Sequence, residues 1–198
     1  KKSIINFSKK KMEKENFEKI SLLILGGSQA AKVFAEVLPE IFQKCVNAGI
    51  ILKVYQHCLP HQTENLKNFY NNAKIEHETF NFSHNLIEYF SRVDLAITRS
   101  GASMLAELTN AQIPFISIPL PSSADNHQLE NAFFYQKKNF AFLVEEKDLK
   151  TRLFSLIEEI YKDRKLIKKI SSNQSQYSDK NVYNNIDKGF KNIINEKN

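Results

Sequence analysis

Runs of strand length alternate with stretches of helical spacing along this chain, and that alternation constrains the fold more than any other feature. Ser21–Leu25, Ile50–Tyr55, Leu95–Thr98, Phe115–Ile118 and Ala141–Val144 are short and mostly apolar. Leu22–Leu25 is apolar without interruption, as a strand covered on both faces of a parallel sheet must be. Lys74–Phe80 is more polar and alternates, which suits a strand nearer an edge. Between these runs fall helical stretches at about 30–47 (stripe Val33, Phe34, Val37, Ile41, Phe42, Val46), 62–72, 84–91, 102–111 and 126–138. A long basic helix over 148–171 and a further helix over 181–195 follow. Strands separated by helices and short loops predict an α/β fold, a Rossmann-like doubly wound parallel sheet with C-terminal helices.

A length of 198 residues is ample for one real core. Residues 1–19 are charged and lack periodicity, so they read as a linker; 20–175 form the folded domain and 176–198 a C-terminal helix or tail. The composition, 42% hydrophobic and 25% charged, is that of an ordinary soluble domain. Lys and Arg number 28 against 22 Asp and Glu, a formal charge of +6 that suits anionic partners in general. The lysines are dispersed, however, with no interleaving of Arg and aromatic residues, so no nucleic-acid partner is expected. Cys45 and Cys58 alone support neither a disulfide framework nor a cysteine zinc site, which makes a reducing compartment the default. His57, His61, His77 and His84 lack metal-ligand spacing, and Pro60 stands between the one pair four apart, so no metal is expected. No apolar stretch approaches the roughly 18 residues that span a bilayer. The chain begins at Lys1 rather than Met, which leads us to expect a piece of a longer protein.

In doubly wound sheets ligands bind outside the carboxyl ends of the strands. Four unusual loops fall there. Gly26-Gly27-Ser28-Gln29 follows the first strand; glycines let the main chain approach a phosphate and Ser28 can donate a hydrogen bond. The same pattern also fits a plain strand–helix turn with Ser28 as N-cap, and it is neither a dinucleotide fingerprint nor a P-loop. Phe80-Asn81-Phe82-Ser83-His84-Asn85 puts aromatic rings at a strand end, where a ring beside free backbone groups can hold a nucleobase. Phe80 reads as a core residue. Arg99-Ser100-Gly101-Ala102 leads into a helix whose N-terminus offers unpaired N–H groups and a positive dipole to an anion, and Glu107 stands close enough to accept bonds from sugar hydroxyls. Pro119–Gln128 is a polar loop with His127 and Gln128 suited to sugar hydroxyls and Asp125 as the expected N-cap. His127 as a general base lacks a carboxylate to orient it.

Together these loops resemble the C-terminal, donor-binding domain of the MurG family. Its members are bacterial undecaprenyl-diphospho-muramoylpentapeptide N-acetylglucosaminyltransferases of the GT-B class, family 28. The resemblance rests on Leu25–Gln29, Phe82-Ser83 before Leu86, Arg99–Ala102 with Glu107, and Asp125–Gln128 with Asn131-Ala132. It implies that Ser28 touches the donor diphosphate and that Phe82 and the Ser83 backbone hold uracil. It further implies that the N–H groups of Ala102, Ser103 and Met104 cradle phosphate, that Glu107 binds ribose, and that His127 and Gln128 hold N-acetylglucosamine. Ala30 and Met104 depart from the family's usual Gly and Thr, so at Met104 only the backbone remains for phosphate. Arg99 precedes this grip and acquires no ligand contact.

By the same resemblance the partners are UDP-N-acetylglucosamine, a lipid-linked acceptor, and an N-terminal acceptor domain that brings the membrane surface and the catalytic residues. No cofactor is implied. The location implied is peripheral, on the cytoplasmic face of the bacterial inner membrane. The alternatives are the donor subunit of a split lipid-linked N-acetylglucosaminyltransferase and a non-catalytic nucleotide-binding module. A UDP-sugar epimerase would call for more acidic and histidine residues around the sugar.

Overall fold

A computed structural model describes residues 18–26, 28–81 and 86–177, with the main chain only for 28–31. Six strands, β1 (Lys19–Leu25), β2 (Ile51–His57), β3 (Glu76–Phe80), β4 (Leu95–Arg99), β5 (Phe115–Ile118) and β6 (Phe142–Leu143), form one sheet in the order β3-β2-β1-β4-β5-β6. Every adjacent pair is parallel. The helices between them are α1 (Ser28–Asn47), α2 (Thr63–Asn72), α3 (Ile87–Phe90), α4 (Ala102–Asn110) and α5 (His127–Lys137), followed by α6 (Phe154–Lys162) and α7 (Lys165–Ser175).

Helices cover both faces, and β1 shows why its sequence is apolar throughout. Alternate side chains of a strand point to opposite faces. Ile20, Leu22 and Ile24 enter one core with Phe34, Leu38, Ile41 and Phe42 of α1. Leu23 enters the other, with Tyr55, Ala96, Phe115 and with Leu105 and Leu108 of α4. Each fully buried Leu or Ile contributes about 1.5–3 kcal/mol relative to exposure. The alternating strand β3 lies at the sheet edge as its pattern predicts, and Lys19 and Lys53 both pair with Glu76 there.

The expected helix over 148–171 is divided. A 3-10 turn at Glu146–Asp148 and a wider π-type turn at Leu149–Leu153 precede α6, and the chain breaks again at Asp163 (φ −125°, ψ 91°). The Asp163 carboxylate accepts the N–H of Lys165 at 3.0 Å, a local bond that competes with helical pairing. The apolar rhythm runs on through the break because Leu153, Ile157, Ile160 and Ile167 all reach the first core. Among the described residues no helix is long and apolar enough to cross a membrane. The linker read over 1–19, nearly all of it, and the helix expected over 181–195 lie outside the described residues.

Cys45, fully buried on α1, gives a pH test of this core. Burial, followed by the nearby Glu158 charge, pushes its thiol from 9.0 up to about 12. Between those values the unfolded chain has lost the proton that the folded chain keeps, so stability falls as pH rises. Urea unfolding between pH 9 and 11 is expected to show a shallower decline for Cys45→Ala than for the parent, by up to about 1.4 kcal/mol per pH unit. Parallel declines would show that folding does not hold this thiol protonated beyond its unfolded value.

Candidate functional site

Parallel strands place the loops after β1, β3, β4 and β5 on one edge. Strand order reverses between β1 and β4, paired through Leu25 and Thr98, so the loops after these two strands flank the crevice that such a reversal opens.

At the end of β4, Gly101 is extended (φ −69°, ψ 130°) and α4 opens with the Leu105 N–H donating to the Gly101 carbonyl at 3.0 Å. Among the described residues no side chain caps this helix, and a Cβ placed on Gly101 would meet nothing within 4 Å. Ala102 and Ser103 are exposed, so the first-turn N–H groups and the positive end of the helix dipole face outward. Met104 turns its side chain into the second core, leaving its backbone N–H as its polar contribution. Glu107 lies one turn beyond Ser103 on the same face, is exposed, and makes no ion pair among the described residues. That face offers donors for an anion next to a carboxylate acceptor for hydroxyls.

The loop beneath is rigid. Ser100 is fully buried and its hydroxyl lies 2.7 Å from that of Ser117 on β5. Two amides of α5 hold its backbone: Gln128 Oε1 accepts the Ser100 N–H at 3.2 Å, and Asn131 Nδ2 donates to the Ser100 carbonyl at 3.0 Å. Gln128 Oε1 also accepts the Leu120 N–H at 3.1 Å, which ties the ends of β4 and β5 together. Two donors on one oxygen fix the amide's orientation, so Nε2 is the end of Gln128 left for a ligand oxygen.

His127 opens α5 and is exposed, and its Nδ1 donates to the Ala124 carbonyl at 2.7 Å. A carbonyl only accepts, so neutral His127 presents Nε2 as an acceptor. The partner that orients it is a carbonyl rather than a carboxylate. Asp125 is not the N-cap. It sits in a 3-10 turn at φ 47°, followed by Asn126 at φ 54° in the cap position, and neither caps the helix through its side chain. Ser123 supplies a hydroxyl instead, accepting the Gln128 N–H at 3.4 Å. Two successive non-glycine residues in the left-handed region are costly, and such strain gathers where a loop must present a particular side chain.

Arg99 is the residue whose role sequence reasoning missed. It is 7% exposed. Its Nη1 donates to the carbonyls of Ile118 at 3.4 Å and Pro119 at 3.2 Å, its Nη2 pairs with Glu146, and its guanidinium lies 5.0 Å from the centre of the Phe34 ring. It locks four elements together under the crevice. A cation at the end of an otherwise apolar run was the available signal. Phe80, read as a core residue, is half-buried: it packs against the second core from the sheet edge, stacked on Tyr89 with ring centres 4.6 Å apart. Ser28 is the first residue of α1, across the crevice from α4, and nothing of its side chain is described. Phe82 and Ser83 lie outside the described residues.

A six-stranded parallel sheet in this order, with the exposed start of α4 at the point where the order reverses, is a doubly wound α/β domain of the Rossmann type. Residues 21–188 match the family model described as the glycosyltransferase family 28 C-terminal domain, and the chain belongs to that family. It is 38% identical, over 96% of its length, to the UDP-N-acetylglucosamine–N-acetylmuramyl-(pentapeptide) pyrophosphoryl-undecaprenol N-acetylglucosamine transferase of Pelagibacter ubique, of which it covers 54%. It is 35% identical over 83% of its length to the transferase of the same name from Rickettsia bellii, of which it covers 47%. The chain thus spans about half the length of the curated relatives it matches. Among solved structures it resembles MurG of Acinetobacter baumannii, with a TM-score of 0.76 and 23% identity over 88% of this chain and 50% of that one. It also resembles a putative UDP-N-acetylglucosamine 2-epimerase of Listeria monocytogenes, with a TM-score of 0.60 and 13% identity over 98% of this chain and 52% of that one. At such identities the likeness is one of fold.

Proposed function

We propose that this chain is the donor-binding half of an inverting hexosyltransferase that moves N-acetylglucosamine from its UDP donor to a lipid-linked muramoyl-pentapeptide in peptidoglycan synthesis. The observation that carries the reading is the uncapped N-terminus of α4, with Glu107 on its outward face, in a chain 38% identical to the Pelagibacter transferase. In this reading the backbone N–H groups of Ala102, Ser103 and Met104 hold the diphosphate and Ser28 approaches it from the facing helix. Glu107 takes the ribose hydroxyls, Phe82 and the Ser83 backbone take uracil, and His127 and Gln128 take the sugar. His127 Nε2 suits a hydroxyl or amide hydrogen, and Gln128 Nε2 suits an oxygen.

Fixed N–H dipoles aimed at the departing diphosphate stabilise the charge that develops as the glycosidic bond breaks, at no reorganisation cost. A second domain supplies the acceptor site, the base and contact with the cytoplasmic face of the membrane, where the enzyme is peripheral. This chain alone binds donor without transferring sugar.

Calorimetry with UDP-N-acetylglucosamine, UDP and an oligonucleotide tests the reading. The two uridine ligands are expected to bind; binding of the oligonucleotide alone, with a steep salt dependence, would reject it. Glu107→Ala removes charge-assisted bonds worth about 1.5–3 kcal/mol. UDP is therefore expected to bind roughly 10- to 100-fold more weakly, with the melting temperature unchanged because Glu107 is exposed. Unaltered affinity removes Glu107 from the site.

A further inference from the structure

Gln56 is fully buried near the carboxyl end of β2, on a face that is otherwise apolar. Val54 and Cys58, two residues to either side, enter the first core with Leu66 and Tyr70 of α2, and alternate residues of a strand share a face. The fully buried Tyr70 hydroxyl donates to Gln56 Oε1. Burial pushes that hydroxyl well above its ordinary value, so it keeps its hydrogen. The bond occupies the oxygen end of the amide and leaves Nε2, with two hydrogens, at the other end. Among the described residues Nε2 is buried and has no partner.

Thr79 of the edge strand β3 carries the matching group. It is the register partner of Gln56 in the parallel pair, and adjacent strands lie about 4.8 Å apart. His77, two residues earlier on β3, stacks on Tyr70 with ring centres 5.1 Å apart, so Thr79 faces α2 as well. Its Oγ1 is also buried without a partner among the described residues. Strand register thus brings two polar atoms together under one helix, and neither is bonded to the other. Taking such groups out of water is costly unless something hydrogen-bonds them.

The chemistry restricts what can do so. Nε2 only donates, so the occupant must accept, and the free lone pair on the Tyr70 oxygen calls for a donor. Gln56, Thr79 and Tyr70 are all neutral, and a buried ion without a paired charge costs far more than a neutral molecule. A small neutral group that both donates and accepts, with three partners, meets the requirements of an internal water.

We propose that Gln56, Thr79 and Tyr70 bind one buried water molecule between β2, β3 and α2. The water accepts from Gln56 Nε2 and the Thr79 hydroxyl and donates to the Tyr70 oxygen. It fastens the polar edge strand β3 to α2 at one register, because a slip of one residue would turn Thr79 to the opposite face. The site is independent of the donor-site reading.

A crystal structure of this chain fine enough to show ordered solvent is expected to place a water about 2.7–3.2 Å from both Gln56 Nε2 and Thr79 Oγ1. In solution, the Gln56 side-chain amide protons are expected to show NMR cross-relaxation with a long-lived water. Thr79→Val keeps the shape and removes the hydroxyl. It should lose that signal and melt about 2–4 °C lower, the effect of one hydrogen bond in a domain of this size. Thr79→Ser should keep the signal and the parent melting temperature. Direct bonding of Nε2 to a protein acceptor, or density with no peak between the two groups, overturns the proposal. So does a parent chain without the long-lived signal, a reading that stands even where Thr79→Val fails to fold. Retention of the signal in Thr79→Val overturns it as well, whatever the melting temperature.

Discussion

Arg99→Leu is expected to destabilise the domain by about 3–5 kcal/mol, the range for removing one partner of a buried ion pair. Arg99 is 7% exposed and its guanidinium holds three acceptors from two parts of the chain: the Ile118 and Pro119 carbonyls at the end of β5, and Glu146 ahead of the π-type turn. A leucine fills much of the volume against Phe34 and satisfies none of them. The Glu146 carboxylate then loses its cation in a partly buried setting, and two carbonyls lose a charged donor. Arg99→Lys is expected to recover only part of the loss, because one ammonium cannot reproduce a planar fork spread over three acceptors. Urea unfolding measures both variants; a loss below about 1 kcal/mol for Arg99→Leu would mean that the ion pair behaves like a surface pair.

Gln128→Leu is the second large effect, and it separates scaffold from ligand. Gln128 Oε1 accepts from both Ser100 and Leu120. Its loss leaves two backbone donors unpaired at a part-buried site, at about 1–3 kcal/mol each where burial is complete. The expected result is a loss of roughly 2–4 kcal/mol in stability, accompanied by weaker UDP binding, since Ser100 anchors the loop that leads into α4. Gln128→Glu keeps an acceptor oxygen in the same place and replaces the Nε2 donor by a second oxygen. It is expected to hold most of the stability while losing affinity for UDP-N-acetylglucosamine more than for UDP. If Gln128→Glu binds both ligands as the parent does, Gln128 is a brace for the loop and no part of the sugar site.

Much of the fold was legible in the sequence. The apolar runs 21–25, 50–55, 95–98 and 115–118 each sit within one or two residues of the strand they predict. Their positions along the chain also placed the odd loops on one edge, because parallel strands joined by helices put every carboxyl end on the same side. The N-terminus of α4 was readable for the same reason: an apolar run ending in Ser-Gly ahead of a helical stripe leaves its N–H groups facing that edge. Asp125 misled because an Asp just ahead of a helix usually caps it, whereas here the chain enters α5 through two left-handed residues.

What the sequence by itself determined is the set of elements and their outward or inward faces, since hydrophobic periodicity records whether a position is buried. Periodicity does not record what a buried position touches. The break at Asp163, the four elements joined by Arg99, and the two backbone N–H groups shared by Gln128 Oε1 were therefore decided only by tertiary structure. Each depends on polar partners between 8 and 47 residues apart, or on a local carboxylate outcompeting a helix, and neither leaves a rhythm in the chain.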